Sequence, residues 1–289
     1  MSDFEWSVVS PPDATGIMEV FECGGAMVVG TNQGMLRSED EGSTWTACST
    51  EGAGGWLRDA HGRPDGHGYV VGDQGRVWRT QDGGRSFERR DVPDPYMLEG
   101  VMGEGDEVWI ASAQSRLWHS ADRGETWTRQ PSPSPTLVIY SGICRVPGGP
   151  LLASGTGGTV VRSGDGEAWA LARQKGQKFL YGIASTGELV VAPADKGSIF
   201  VSTNGGETFA TKRSGTKAYF YAGAKASERR AWVGGKEGAQ PILLSTEDGK
   251  AWLSHVLPEQ THILGLFARS DDELWVAGSS VLLRGRRRG

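Results

Sequence analysis

One eight-residue pattern recurs six times along the chain and constrains the fold more than any other feature. It reads Ser38-Glu39-Asp40-Glu41-Gly42-Ser43-Thr44-Trp45 and returns as Thr80-Gln81-Asp82-Gly83-Gly84-Arg85-Ser86-Phe87. Further copies run from Ser120 to Trp127, from Ser163 to Trp169 (one residue shorter), from Ser202 to Phe209 and from Ser245 to Trp252. In every copy a Gly stands three residues before the aromatic. The aromatics fall at 45, 87, 127, 169, 209 and 252, in steps of 42, 40, 42, 40 and 43. A period near 40 is the length of one four-stranded propeller blade. Within a unit, segments such as Tyr96-Met97-Leu98, Val108-Trp109-Ile110 and Leu117-Trp118 read as three strands, and the octapeptide as the hairpin into a fourth.

The octapeptide has a mechanical role. Its Asp can accept backbone N–H bonds inside the turn, its Gly supplies a positive φ without steric cost, and its aromatic buries a ring between layers. This explains a glycine count of 44 in 289 residues, about twice the usual share. The chain ends set the blade number. Val281-Leu282-Leu283-Arg284 matches the strand that precedes each octapeptide, and Trp6 lies 39 residues before Trp45, in register with the other aromatics. Residues 4–10 should therefore supply the last outer strand and remove the open edge. The expected fold is a single all-β domain over 1–289, a seven-bladed β-propeller of four-stranded antiparallel blades. Six blades is the alternative.

These octapeptides resemble the Asp-box, or BNR repeat, with pattern Ser-x-Asp-x-Gly-x-Thr-Trp, and the resemblance covers nearly the whole chain. The repeat occurs in sialidases, xyloglucanases, sortilin-type receptors and photosystem II stability/assembly factor-like propellers. Seven blades and short connections make the chain most similar to the last group, which implies a binding scaffold and no enzyme activity. Sialidases of this class have six blades and an early Arg-Ile-Pro motif. The nearest string here, Cys144-Arg145-Val146-Pro147, falls in mid-chain, and no three-arginine clamp is apparent. Xyloglucanases of this class use two propellers across a groove, and one propeller lacks the second wall.

Innermost strands line a propeller's channel, and the loops leading into them, with the loops between second and third strands, form one face. The Asp-box turns lie on the other. Twelve or thirteen residues beyond each aromatic stand Glu19, Arg58, Glu99, Tyr140, Tyr181, Tyr221 and the small Gly265. A one-residue slip would turn these side chains away from the channel. Tyrosine offers recognition a rigid surface with a polar tip, and it can equally fill a tapering channel. The leading loops add Arg173, Lys175, Lys178, Lys212, Arg213 and Lys217, with Lys196 and Lys236 beside them. Earlier units supply Asp91, Asp94 and a proline-rich stretch from Gln130 to Pro135. Half of this face should thus be basic, able to attract a carboxylate, a phosphate or an acidic segment, although the net charge is −5. The run Arg284 to Gly289 reads as a short basic tail over 285–289, disordered and solubilising or able to contact phosphates.

Little points to catalysis. Five histidines are scattered, and no HExxH, GxSxG or P-loop string is present. His61 and Asp59 lie near Arg58, a Glu99–Tyr140 pair across adjacent blades is conceivable, and Glu19 with Glu99 would be the carboxylate pair for glycoside hydrolysis. Cys23, Cys48 and Cys144 are too far apart for a CxxC site, and their odd number argues against a disulfide framework. No metal or cofactor is expected. No apolar run spans a membrane, and the first residues lack a signal-peptide pattern, so a cytoplasmic monomer is the expectation. The mild charge makes nucleic acid an improbable partner. The expected function is docking of a protein or peptide segment at the channel mouth, with Glu19, Arg58, Glu99, Tyr140, Tyr181, Tyr221, Lys178 and Lys217 as binding residues. A glycan-binding or glycoside-hydrolysing propeller is the alternative. A scaffold acting through its sides is a further one.

Overall fold

The computed structural model describes residues 4–12, 14–52 and 55–288. Seven sheets follow one another around a ring, and no helix longer than a single 3-10 turn occurs among the described residues. Blade 1 runs outward from Ile17–Cys23 through Ala26–Thr31 and Gly34–Ser38 to Thr46–Ala47. Blades 2 to 6 repeat this order from inner strands Leu57–Gly62, Leu98–Glu104, Tyr140–Arg145, Ala184–Ser185 and Ala224–Ala226. Blade 7 starts at Ile263–Ser270, and its outer strand is Phe4–Val8. That strand pairs antiparallel with Leu282–Arg287, from Phe4 opposite Arg287 to Val8 opposite Leu283. Val9 N–H donates to the Leu282 carbonyl, and the Ser10 hydroxyl accepts from Leu282 N–H, so the pairing extends to residue 10. The ring has seven blades, closed as the repeat spacing implies.

Alternation in each strand puts apolar residues on both faces, because each blade is sandwiched between two others. The buried side chains accordingly form seven clusters, one at each seam. Blades 1 and 2 share Phe21, Val28, Leu57 and Trp78; blades 7 and 1 share Val20, Val29, Trp275 and Leu282. Blade 2 also carries a strand the repeat did not announce, Ser49–Thr50, which runs parallel to the outer strand Ser86–Arg89.

The octapeptide turns share one geometry. The Ser38 hydroxyl donates to Asp40 Oδ1 at 2.8 Å, Thr44 N–H donates to the same oxygen at 2.8 Å, and Thr44 Oγ1 donates to Oδ2 at 2.6 Å. Gly42, Gly84, Gly124, Gly166, Gly206 and Gly249 take φ values of 86°, 82°, 85°, 84°, 83° and 68°. That left-handed region is costly for a side chain with a Cβ. In two copies the aromatic also stitches blades: Trp45 Nε1 donates to the Val9 carbonyl at 3.0 Å, and Trp127 Nε1 to the Arg90 carbonyl at 2.8 Å.

As far as Arg287, the basic C-terminal run is not a free tail. Leu282–Arg287 is a strand, and its arginines are committed. Arg284 pairs with Glu41 and Glu273, Arg286 with Glu273 at 3.2 Å, and Arg287 with Asp272 at 3.4 Å. With Arg269, which also meets Glu41 and Glu273, they form a network over the closing seam. Ladder pairing and these carboxylates hold the segment, which leaves little for phosphate.

Candidate functional site: the channel and its mouth

Five of the seven inner strands arrive from their leading loops through an irregularity. The pairing shifts between Ile17 and Glu19, Leu57 and Asp59, Leu98 and Gly100, Tyr140 and Gly142, and Ile263 and Gly265. A bulge of this kind re-aims the side chains next to it. The seven positions counted from the aromatics therefore do not form one register. Arg58 and Glu99 sit on the bulged residue, Glu19 one position deeper, and Tyr140 one position earlier.

Tyr140 accordingly leaves the expected site. It is fully buried in the seam between blades 3 and 4, and its hydroxyl meets the Ser132 hydroxyl at 2.7 Å. The conceivable pair with Glu99 does not form. Glu99 instead faces Arg58 at 4.0 Å, and Arg58 is also bound by Asp73 at 3.0 Å. Burial raises the Glu99 carboxyl above its ordinary range, opposed by Arg58.

Deeper in the channel the backbones nearly touch. A Cβ on Gly100 would stand 3.0 Å from the Gly142 Cα, one on Gly142 2.7 Å from the Gly182 Cα, and one on Gly182 3.1 Å from the Gly223 Cα. On Gly265 it would meet the Glu19 Cα at 3.1 Å. Five blades thus present glycine to the axis. The other two present carboxylates, Glu19 on blade 1 and Asp59 on blade 2. Lys225 of blade 6 reaches across, its Nζ 2.8 Å from Asp59 Oδ1. Blades 2 and 6 are as far apart as a seven-membered ring allows, so this ion pair spans the channel. Asp59 also accepts from Val101 N–H at 3.0 Å. Burial works against the Lys225 charge, yet Asp59 and Glu19 together raise its pKa. Burial raises Glu19 well above the usual carboxylate range, against the pull of Lys225. The His61 imidazole is pushed down to about 4, chiefly by burial and further by Lys225, so it is neutral at pH 7.

Above this pair the mouth is aromatic. Phe179 stacks on Tyr181 at 4.8 Å, Tyr181 meets Tyr221 edge-on at 5.3 Å, and Tyr221 stacks on Tyr219 at 5.8 Å. Lys236 lies over the Tyr221 ring at 5.8 Å. Trp56, Phe179, Tyr181 and Tyr221 line one cavity with Glu19, Arg58 and Glu99. Among the described residues nine large apolar side chains are exposed, and six of them (Trp56, Tyr96, Leu137, Tyr219, Tyr221 and Val256) lie in loops leading into inner strands. The inner strands of blades 5 and 6 are only two and three residues long, and the irregular backbone before them carries the four-ring ladder.

The basic residues divide into two groups. Lys178 is held by Asp195 at 2.7 Å, and the Arg173 guanidinium lies 3.9 Å from the Phe200 ring while donating to the Gly158 and Lys175 carbonyls. Lys175, Lys212, Arg213 and Lys217 are exposed on the rim. Arg145, the residue of the sialidase comparison, sits at the far end of its strand, bound to Glu104 at 2.9 Å.

The aromatic count missed Trp56, Phe179, Tyr219 and Lys225. For the first three a signal existed: each stands two residues before Arg58, Tyr181 or Tyr221, the spacing that puts side chains on one face of an extended chain. Nothing local marked Lys225, whose partner is 166 residues away. Among the described residues no group of His, Cys, Asp and Glu has metal-binding geometry, and no helix is long and apolar enough to cross a membrane.

Residues 56–286 match the family described as photosynthesis system II assembly factor YCF48. No curated protein sequence matches the chain. Among solved structures, YCF48 from Cyanidioschyzon merolae is similar at 14% identity, over 97% of this chain and 98% of that one, with a TM-score of 0.72. A structure described as YCF48 bound to D1 peptide is similar at 17% identity, over 100% and 98%, with a TM-score of 0.72. A streptogramin B lyase is similar at 12% identity, over 99% and 98%, with a TM-score of 0.80. At such identities these structures share a fold, and an enzyme among them shows how little fold alone says about activity.

Proposed function

The chain belongs to the photosynthesis system II assembly factor YCF48 family, and from that premise we propose that it is a non-enzymatic scaffold that docks a protein or peptide segment at its channel mouth. The observation that carries this reading is the clustering of exposed rings, Trp56, Tyr219 and Tyr221 with half-buried Tyr181, on the one face where the inner strands begin. Rigid aromatic surface around a depression is what anchors a peptide. The exposed rim lysines would orient an acidic stretch beside it and speed its encounter. A solved YCF48 structure carries a D1 peptide, which supports a peptide as the ligand class.

The carboxylates favour no hydrolytic reading. Glu99 is turned to Arg58, and Glu19 lies under the influence of Lys225 and Asp59. Affinity capture from the native host, with the wild type beside a Tyr181→Ala/Tyr221→Ala variant and mass spectrometry of both, tests the proposal. The variant should lose a wild-type partner at least tenfold. A partner list unchanged by both substitutions would move docking to the blade edges or the Asp-box face. Turnover of a sialyl, xylosyl or glucosyl substrate would move the assignment to a glycosidase.

A further inference from the structure

Charge along the upper channel does not balance. Glu19, Asp59 and Glu99 line the cavity as three carboxylates and Asp73 adds a fourth beside Arg58, whereas the cations are Arg58 and Lys225, with Lys236 over the Tyr221 ring at the mouth. Arg145 at the far end is committed to Glu104, and His61 is neutral. The surplus negative charge is concentrated at Glu19 and Glu99. Glu19 is 6% exposed, and no side chain among the described residues hydrogen-bonds its carboxylate, although it lines the cavity beside Gly265. Lys225 acts on it electrostatically, but its ammonium is bonded to Asp59. A nearly buried carboxylate with only its neighbouring main chain and a shared cation for support favours any positive group that can reach it. Burial is the first cause of the raised pKa values of Glu19 and Glu99, and the Asp59 charge adds to both.

The way in is lined by rings. Trp56, Tyr181 and Tyr221 border the cavity that holds Glu19 and Glu99. Aromatic faces attract ammonium and guanidinium groups and accept their aliphatic stems. We propose that the channel mouth is a socket for a basic side chain, the guanidinium or ammonium of a docked segment, which enters between the aromatic rings and places its charge against Glu19 and Glu99. This rests on the docking reading and deepens it. The rim lysines select acidic residues, and the socket selects one basic residue among them, so the preferred segment carries a single Arg or Lys flanked by Asp or Glu. Two opposite charge requirements a few residues apart set a register along the segment, which a uniformly basic face would not do.

Arginine amide and citrulline amide, both acetylated on the α-nitrogen so that only the side-chain charge differs, probe the socket without any partner. Both are titrated against the wild type and against a Glu19→Gln/Glu99→Gln variant, with saturation-transfer NMR as the readout. The wild type should bind arginine amide at least tenfold more tightly than citrulline amide, and the variant should lose that preference. Equal binding of the two amides by the wild type overturns the socket, and this comparison needs no variant to fold. A preference that survives the double substitution also overturns it, because the cation would then sit elsewhere. The docking reading fails separately, through an unchanged partner list with the Tyr181→Ala/Tyr221→Ala variant.

Discussion

Asp82 shows how one side chain can hold a turn. Its carboxylate accepts from the Thr80 hydroxyl, from Arg85 and Ser86 N–H, and from the Ser86 hydroxyl, at 2.6–3.0 Å. The fifth repeat does the same work with Asn204, whose Oδ1 accepts from Thr208 N–H and whose Nδ2 donates to Thr208 Oγ1, both at 3.0 Å. Asp82→Asn should therefore be nearly neutral, while Asp82→Ala should lose about 1 kcal/mol in a urea titration at pH 7. The loss should depend on pH. Hydrogen bonds hold the repeat carboxyls below their ordinary value, at about 2 for Asp40, Asp122 and Asp165. A pKa lower in the folded state gives a stabilisation complete above the unfolded value, near 4, and lost as pH falls through the folded one. Denaturation curves of wild type and Asp82→Ala should thus converge on acidification across that window. These turns were legible because Asp, Gly and aromatic each do a local job at fixed spacing. Tyr140 was not, since its placement depends on a bulge and on Ser132, neither of which a count of residues from Trp127 contains.

The element that decides closure is Phe4–Val8. It contributes a ladder to blade 7 and inserts Phe4, 2% exposed, edge-on to Trp232 at 5.3 Å and to His255 at 5.4 Å. Phe4→Ala should cost about 3 kcal/mol, seen as a lower midpoint in denaturant. A strand that merely covered the edge would lose a few tenths. The strand itself could be read from Trp6, because it keeps the spacing of the other repeat aromatics. What escaped the sequence was the opposite end of the same blade. Four arginines in five residues, Arg284 to Arg288, look like a solvated tail, but Glu41 comes from blade 1 and only the closed ring brings it to Arg284 and Arg269. The short inner strands of blades 5 and 6 were equally hidden, since Phe179–Tyr181 and Tyr219–Tyr221 have the alternation of a regular strand and the backbone there leaves the ladder.

For the molecule as a whole, the Lys225–Asp59 pair is a tie between distant parts of the ring. Lys225→Met removes the cation that Asp59 and Glu19 share. It should destabilise the protein by about 2 kcal/mol at pH 7, a figure reduced for the partial exposure of the pair. Burial already raises the Glu19 carboxyl, and the variant would lack the cation that opposes that shift. The folded state would then bind more protons than the unfolded one, and stability should recover as pH falls toward 5. Thermal unfolding of the variant at pH 7 and pH 5 checks both points; a further loss of stability at pH 5 would show that Lys225 does not offset the buried carboxylates.

The same arrangement has a geometric consequence. A ring of seven similar blades offers anything entering along its axis seven nearly equivalent azimuths, and a shape-only funnel would hold a guest in several rotations at once. Here five sectors carry glycine, two neighbouring sectors are anionic, and one of the five, across the channel from Asp59, also carries the cation Lys225. The axis therefore carries a transverse dipole. It works as a compass needle fixed in the wall, giving a near-symmetric body a single rotational zero from which a bound chain can take its bearing.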